Sequence, residues 1–217
     1  MNIKQISFPE NQYYKDVQEK KQIVLHHTVS DPTSAVGDIN SWTSDSARIA
    51  TYIILSYDGT INKCFKSNQW AHHLGVTSKF LKEKGFSDYA SRNELLNKQS
   101  IAIEIDAWGG LTKDKSGKFL NAYGKPISDK LEVIEYNWRG YKYFQKYSKE
   151  QIDVLSELLP ILMKEYNIPS YGIKDGNFDV RMDALSGRPG IYSHSSLRPD
   201  KSDVYPDKNL IEMLKNI

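Results

Sequence analysis

Four short apolar segments, spread along the whole chain, limit what this sequence can fold into. Each is rich in β-branched and aromatic residues and is too short for a buried helix, so each predicts a buried strand. The segments are IVLHHTV at 23–29, TYIILSY at 51–57, SIAIEID at 100–106 and GIYSH at 190–194. Helical patterns lie between and after these strands, and this interleaving predicts an α/β domain.

One turn signal shows that the strands do not all run the same way. Asp58-Gly59 separates the second apolar segment from TINKCF, and this dipeptide is typical of a two-residue hairpin. The two segments should therefore pair antiparallel. We predict a central mixed β-sheet flanked by α-helices.

The clearest helix follows Ser148, which forms a capping box with Gln151 ahead of an apolar stripe. Pro160 lies inside this pattern and predicts a kink, or a division into two abutting helices, because proline lacks the backbone donor. Weaker helical patterns are found at about 35–44, in SKFLKEKGF and in DKNLIEMLK.

The 217 residues fit one domain, 1–217, with an insertion at about 109–147 that is rich in Gly, Lys and Tyr and has no clear period. Lys and Arg total 29 against 27 acidic residues, and this near balance argues against nucleic acid as a partner. No apolar run has the length of a signal peptide or a membrane span, so we expect synthesis in the cytoplasm without a signal peptide and no membrane insertion. The single cysteine, Cys64, is expected to be buried.

Four of the five histidines form two adjacent pairs, His26-His27 and His72-His73, each beside apolar residues. Neighbours in a strand point to opposite faces, so one member of a pair can serve a given site. Alternation alone does not choose between His26 and His27. The alternative for either is a buried histidine that is hydrogen-bonded for structural reasons.

His194 ends another apolar segment and is followed by a polar loop that carries Lys201 and Asp203. Two neutral imidazoles and one carboxylate suit a catalytic zinc ion, which keeps a fourth position open. The spacing is weak evidence by itself. In the alternative interpretation, Asp203 caps the following turn and Lys201 is an exposed charge.

Glu104 lies in the middle of SIAIEID, where a carboxylate is costly to bury without a cation or a proton. It is therefore a candidate general base. The alternative is a glutamate on an edge strand or at a strand end that reaches solvent. Asp106, two residues further on, is the weaker candidate.

Taken together and in this order, the motifs IVLHHTVS, YIILSYDGT, QWAHHLG, SIAIEID and GIYSHSSLRPDKSD resemble the zinc amidases of the N-acetylmuramoyl-L-alanine amidase type. That family is related to phage lysozyme-amidases and to peptidoglycan recognition proteins. Several short motifs in one order are far more specific than any one of them.

The resemblance implies a zinc site formed by His26, His194 and Asp203, with Glu104 as the base and Lys201 as the group that stabilises the oxyanion. It implies cleavage of the amide between N-acetylmuramic acid and L-alanine in peptidoglycan or muropeptides. We expect a monomer without nucleic-acid partners that acts on the cell wall after phage-type release or on cytosolic muropeptides.

Three further residues are expected to bind substrate. His73 resembles the family's groove histidine, Trp70 is suited to contact a sugar or stem residue, and Tyr52 stands where many relatives carry a histidine. The insertion is expected to form one wall of the groove. The competing function is a peptidoglycan-binding module without catalysis, and the presence of Asp203, Glu104 and Lys201 favours the enzyme.

Overall fold

Ten strands and six α-helices make up the computed structural model, which describes residues 1–217. The strands are β1 Ile3–Gln5, β2 Gln22–His27, β3 Ile53–Leu55, β4 Ile61–Lys63, β5 Ser100–Ile105, β6 Gly110–Lys113, β7 Phe119–Leu120, β8 Val133–Trp138, β9 Tyr141–Gln145 and β10 Gly190–Ser193. The helices are α1 Val36–Trp42, α2 Ser78–Glu83, α3 Tyr89–Gln99, α4 Lys149–Tyr166, α5 Met182–Leu185 and α6 Lys208–Lys215. No helix is both long and apolar enough to cross a membrane.

The central sheet has six strands in the order β1-β4-β3-β5-β2-β10. Strands β3, β5, β2 and β10 run parallel, whereas β4 is antiparallel to β3. All four apolar segments form strands of this sheet, so the predicted mixed sheet flanked by helices is confirmed. Strand β5 lies in the interior of the sheet, which excludes the edge-strand interpretation of Glu104.

The turn between β3 and β4 has three residues rather than the predicted two. The Ser56 amide donates to the Thr60 carbonyl at 3.0 Å and the Gly59 amide donates to the Ser56 carbonyl at 2.9 Å, so three residues form the turn. Gly59 has a φ of 80°, a value that glycine adopts without strain. The antiparallel pairing that Asp58-Gly59 predicted is present.

Alternation along β2 divides the core between the two faces of the sheet. Ile23 and Leu25 belong to the larger cluster, which packs against α4 and α6, whereas Val24 belongs to a smaller cluster with residues of α2, α3 and α5. His26 continues the Val24 face and His27 continues the other. The two histidines of the first pair are therefore separated by the sheet.

Helix α4 begins at the predicted capping box, in which Ser148 accepts from the Gln151 amide. It continues without interruption through Pro160, which lies on the exposed side, so one helix forms here rather than two. Leu155, Leu159 and Leu162 are buried against the sheet. That burial stabilises the helix across the missing hydrogen bond at Pro160.

The insertion contains a second, antiparallel sheet of four strands in the order β7-β6-β9-β8. Phe144 of β9 is fully buried, and its ring stacks on Tyr205 with the centroids 4.5 Å apart. Tyr147 stacks on the same Tyr205 ring at 5.0 Å. This aromatic contact joins the second sheet to the segment that follows Asp203.

Candidate functional site

The site lies where β2 and β10 end, and their parallel pairing brings their last residues together. His26 is the fifth residue of β2, and His194 follows directly after β10. The loop after His194 folds back, because the Ser195 amide donates to the Asp203 carbonyl at 2.7 Å. This single hydrogen bond closes the predicted metal-binding loop and places Asp203 beside His194.

His26, His194 and Asp203 form one compact, buried cluster. Nδ1 of His26 lies 3.1 Å from Nδ1 of His194 and 3.3 Å from Oδ2 of Asp203. Nδ1 of His194 lies 2.9 Å from the same Asp203 oxygen. The three side chains that sequence analysis grouped are thus brought together.

The protonation of His194 follows from its second nitrogen. Nε2 of His194 lies 2.8 Å from the backbone carbonyl of Leu74. A carbonyl can only accept, so Nε2 carries a proton, and in the neutral imidazole Nδ1 presents a lone pair to the cluster. A backbone carbonyl in this position is a common partner of a metal-binding histidine.

The protonation of His26 follows from a chain of three hydrogen bonds. The Ser100 hydroxyl lies 2.7 Å from the Leu96 carbonyl at the end of α3, and this carbonyl can only accept. Ser100 Oγ must therefore accept from Nε2 of His73 at 2.7 Å, which leaves Nδ1 of His73 as an acceptor. Nε2 of His26, 3.0 Å from that atom, is then the donor. Nδ1 of His26 presents a lone pair to the cluster.

Three acceptor atoms consequently face one another with no proton between them, an arrangement that a cation would stabilise. Tetrahedral zinc with ligands at about 2.0–2.2 Å requires ligand atoms about 3.3–3.5 Å apart. The observed separations of 2.9 to 3.3 Å are close to that requirement. Two imidazoles and one carboxylate are also ligand types that zinc accepts, so the residues present fit this ion.

Burial sets the charge of the candidate ligand His26. It lowers the pKa of His26 to about 4, with the His194 imidazole adding to the effect. His26 is therefore neutral at neutral pH, as a metal ligand must be.

Glu104 lies next to His26 in the sheet, because the two residues are in register on the adjacent parallel strands β5 and β2. Its Oε2 is buried and has no hydrogen-bond partner. Burial raises the pKa of Glu104 well above its usual range, and the Asp203 charge adds to this, while the positive charge of Lys201 acts in the opposite sense. The charges of Asp203 and Lys201 thus shift the pKa of the Glu104 carboxyl in opposite directions.

Tyr52, Trp70 and His73 line one small cavity of about 10 Å³, which holds about one water molecule. Trp70 is only 4% exposed, and its ring stacks on Tyr14 at 3.9 Å. Tyr52 is 6% exposed and packs near Phe65. Of these three residues, His73 alone contacts the cluster, through His26. Substrate binding by the three residues stays a prediction.

His27 has no part in this cluster. It lies on the opposite face, with Nδ1 3.1 Å from the Tyr147 hydroxyl, and its Nε2 is buried beside Gly109. A Cβ at Gly109 would come within 2.2 Å of that nitrogen, which explains why glycine stands there. His27 thus joins the sheet to the start of the insertion.

Sequence analysis missed several residues that support the site. Ser100 and Asn97 belong to the segment around the end of α3, and Asn97 Oδ1 accepts from the His73 and Leu74 amides. Trp138 and Arg139 belong to the β8–β9 hairpin and contact the loop that carries Asp203. No local pattern marks these residues, because each acts on a partner distant in the chain.

The sequence model of the N-acetylmuramoyl-L-alanine amidase family matches residues 16–206. The chain belongs to this family. The match includes every residue of the candidate site, and membership supports peptidoglycan amidase activity for the chain. No curated protein sequence matches it.

Solved structures show the same fold for this amidase-family chain. A mutant of PlyL has a TM-score of 0.54 at 15% identity, with all of both chains covered. The PlyG catalytic domain has a TM-score of 0.54 at 16% identity, covering 100% of this chain and 94% of that one. The hydrolase AmiA of Staphylococcus aureus, solved with its ligand, has a TM-score of 0.52 at 12% identity, covering 99% of this chain and 80% of its own.

Proposed function

We propose that this amidase-family chain is a zinc-dependent N-acetylmuramoyl-L-alanine amidase. It hydrolyses the amide between N-acetylmuramic acid and the L-alanine of the stem peptide, as an endolysin-like lytic enzyme or in wall remodelling. The observation that carries the proposal is the meeting of Nδ1 of His26, Nδ1 of His194 and Oδ2 of Asp203 beside Glu104, whose Oε2 is buried.

The three ligands would hold Zn²⁺, which supplies Lewis-acid activation of the amide carbonyl and of water when bound. Glu104 takes the proton of the attacking water at its carboxylate and later delivers it to the leaving nitrogen. Its raised pKa makes it a stronger base than an exposed carboxylate. The carbon–nitrogen bond breaks to give a carboxylic acid and a free amine.

Lys201 contributes through its charge. It lies in the loop between His194 and Asp203, and its charge acts on both Glu104 and His26. A fixed cation beside the reacting carbonyl stabilises the negative oxygen of the tetrahedral intermediate, at about 3 kcal/mol for one donor.

Substrate binding is proposed at residues that His73 connects to the cluster. His73, Tyr52 and Trp70 line the narrow cavity next to the cluster, and a sugar or stem residue that contacts them requires this cavity to widen. We propose that the chain acts as a monomer on peptidoglycan, or on soluble muropeptides.

The deciding experiment is digestion of purified sacculi, followed by mass analysis of the released fragments. We expect free stem peptides that begin with L-alanine, and no release after treatment with a chelator. Glu104→Gln should retain zinc while losing most turnover, because the amide cannot act as a base. Full activity of metal-free protein would contradict zinc dependence, and unchanged turnover of Glu104→Gln would place the base elsewhere. Retention on sacculi without new amino termini would instead indicate the binding module.

A further inference from the structure

The tip of the β8–β9 hairpin reaches across to the loop that carries Lys201 and Asp203. Trp138 donates its indole N–H to the Ser202 carbonyl at 3.1 Å, directly before Asp203. Arg139 donates to the Pro199 carbonyl, and also lies 3.5 Å from the Ser195 carbonyl. These contacts lie on both sides of Lys201.

Arg139 is also fixed at its other side. Its guanidinium is paired with Asp179 at 2.8 Å, and its side chain is only 17% exposed. The guanidinium packs over the ring of Trp138, 4.9 Å from the ring centre. The planar guanidinium is thus held in one orientation. It connects the hairpin with the segment around Asp179 and with the loop that carries Asp203.

The backbone at this tip is unusual for an arginine. Trp138 pairs with Tyr141, so Arg139 and Gly140 form a two-residue turn, and their φ angles are 47° and 86°. Positive φ at both positions favours Asn-Gly, and the Cβ of an arginine makes this backbone conformation unfavourable. The turn conformation does not explain an arginine at position 139, whereas the hydrogen bonds of Arg139 to the loop do.

We propose that Trp138 and Arg139 are positioning residues that fix the loop 195–203, and thereby hold Asp203 and Lys201 in place for the metal and the reacting amide. This inference rests on the proposed function for its metal and its substrate. It gives the insertion a role in the site beyond that of a groove wall, since the hairpin adds hydrogen bonds from outside the loop to those that the loop makes itself.

Three variants separate positioning from folding. Arg139→Asn removes the guanidinium but places a residue that the turn prefers, so the hairpin should fold at least as well. Trp138→Phe keeps an aromatic ring and loses only the indole donor. Lys142→Ala is the matched control, because Lys142 lies on the same hairpin but its ammonium contacts the exposed Glu135, at 3.3 Å, and the Tyr143 ring.

The first measurement is the zinc dissociation constant, obtained by competition with a chromophoric chelator. Loss of a contact that orients a ligand weakens metal binding about tenfold to a hundredfold. We expect such an increase for Arg139→Asn and Trp138→Phe, and none for Lys142→Ala. The second measurement is amide hydrogen exchange of Ser195 and Lys201, whose amides donate to carbonyls of this part of the chain, in metal-free protein. Their exchange should become faster in the first two variants alone.

Wild-type zinc affinity together with wild-type exchange in Arg139→Asn would overturn the positioning role. Neither measurement uses peptidoglycan, so its outcome is independent of the proposed cleavage. A chain that binds zinc but releases no stem peptide contradicts the proposed function and leaves the hairpin inference standing. A chain that cleaves sacculi while both variants keep wild-type zinc binding and exchange contradicts the hairpin inference alone.

Discussion

Ser100 has one hydroxyl proton, and the direction of that proton determines the protonation of two histidines. The hydroxyl donates to the Leu96 carbonyl, so His73 must donate to Ser100, and His26 to His73. The result is a lone pair on the His26 nitrogen that faces Asp203. Ser100, which does not contact His26 itself, thus sets the tautomer of a proposed metal ligand.

Ser100→Ala tests this chain of hydrogen bonds. Without the hydroxyl, His73 is free to carry its proton on Nδ1, and the tautomer of His26 is no longer fixed. We expect zinc affinity to fall about tenfold to a hundredfold, and nitrogen NMR of the histidine rings to show a mixed tautomer for His26. Ser156→Ala is the control, since that hydroxyl donates to a carbonyl of α4. Unchanged zinc affinity and tautomer in Ser100→Ala would contradict the assignment.

Asp106 gives the fold a pH dependence of its own. It is fully buried, accepts hydroxyl hydrogen bonds from Thr28 and Ser30 on Oδ1, and has no partner on Oδ2. Burial, with the charge of Asp38, raises the pKa of Asp106 to about 7. The unfolded chain releases this proton near pH 4, so the folded state binds the extra proton between about pH 4 and 7.

Folded-state stability should therefore fall as the pH rises through this window, by up to about 1.4 kcal/mol per pH unit, and change no further above it. Asp106→Asn removes the titration. We expect its free energy of unfolding, measured in urea and relative to wild type, to increase from pH 5 to pH 8. A difference that stays constant over this range would show that Asp106 ionises normally.

At the level of elements, α4 shows a local signal overridden by tertiary packing. Pro160 has no amide hydrogen for the Ser156 carbonyl, yet the helix runs from Lys149 to Tyr166 because its apolar side is buried on the sheet. The sequence predicted both the start of the helix and its apolar stripe. Continuity through Pro160 depends on a surface that lies elsewhere in the chain.

Pro160→Ala should restore the missing hydrogen bond. Because the residue is exposed, the change fills no cavity, and we expect the free energy of unfolding to rise by about 1–3 kcal/mol with an unchanged urea m-value. Ile161→Ala, at a half-exposed neighbouring position, should change it by less than about 0.5 kcal/mol. Equal or lower stability of Pro160→Ala would mean that the proline is accommodated without cost.

At the level of the whole molecule, the proposed metal site joins distant parts of the chain. His26 and His194 are 168 residues apart in sequence, and they belong to two neighbouring strands of the central sheet. An ion held by both, and by Asp203, binds the folded chain far better than the unfolded one. Its binding free energy therefore adds to the stability of the fold.

Zinc at about 100 times its dissociation constant should stabilise the fold by about 2.7 kcal/mol, which corresponds to a rise in Tm of roughly 5–10 °C for a chain of this size. Thermal unfolding followed by circular dichroism, with zinc and with a chelator, measures the shift. His26→Ala should show almost none of it. Identical melting of the wild type under both conditions would argue against a metal site in the folded protein.

The sequence by itself determined the sheet, the first turn of α4 and the residue types of the site. Short β-branched segments, a capping box and a carboxylate inside an apolar strand are local patterns, and local physics fixes what they form. The order of the motifs also indicated the family, and through it His26 rather than His27.

Only the tertiary structure decided the protonation of the ligands, the second sheet and the support of the metal-binding loop. Ser100 and His73, which share a hydrogen bond, are 27 positions apart in the sequence, and Trp138 and Ser202 are 64 positions apart. Such contacts leave no periodicity in the sequence, because each is a single hydrogen bond between segments that only folding brings together. The chemistry of His26, His194 and Asp203 is readable from residue type, whereas the direction of each lone pair depends on neighbours that the fold supplies.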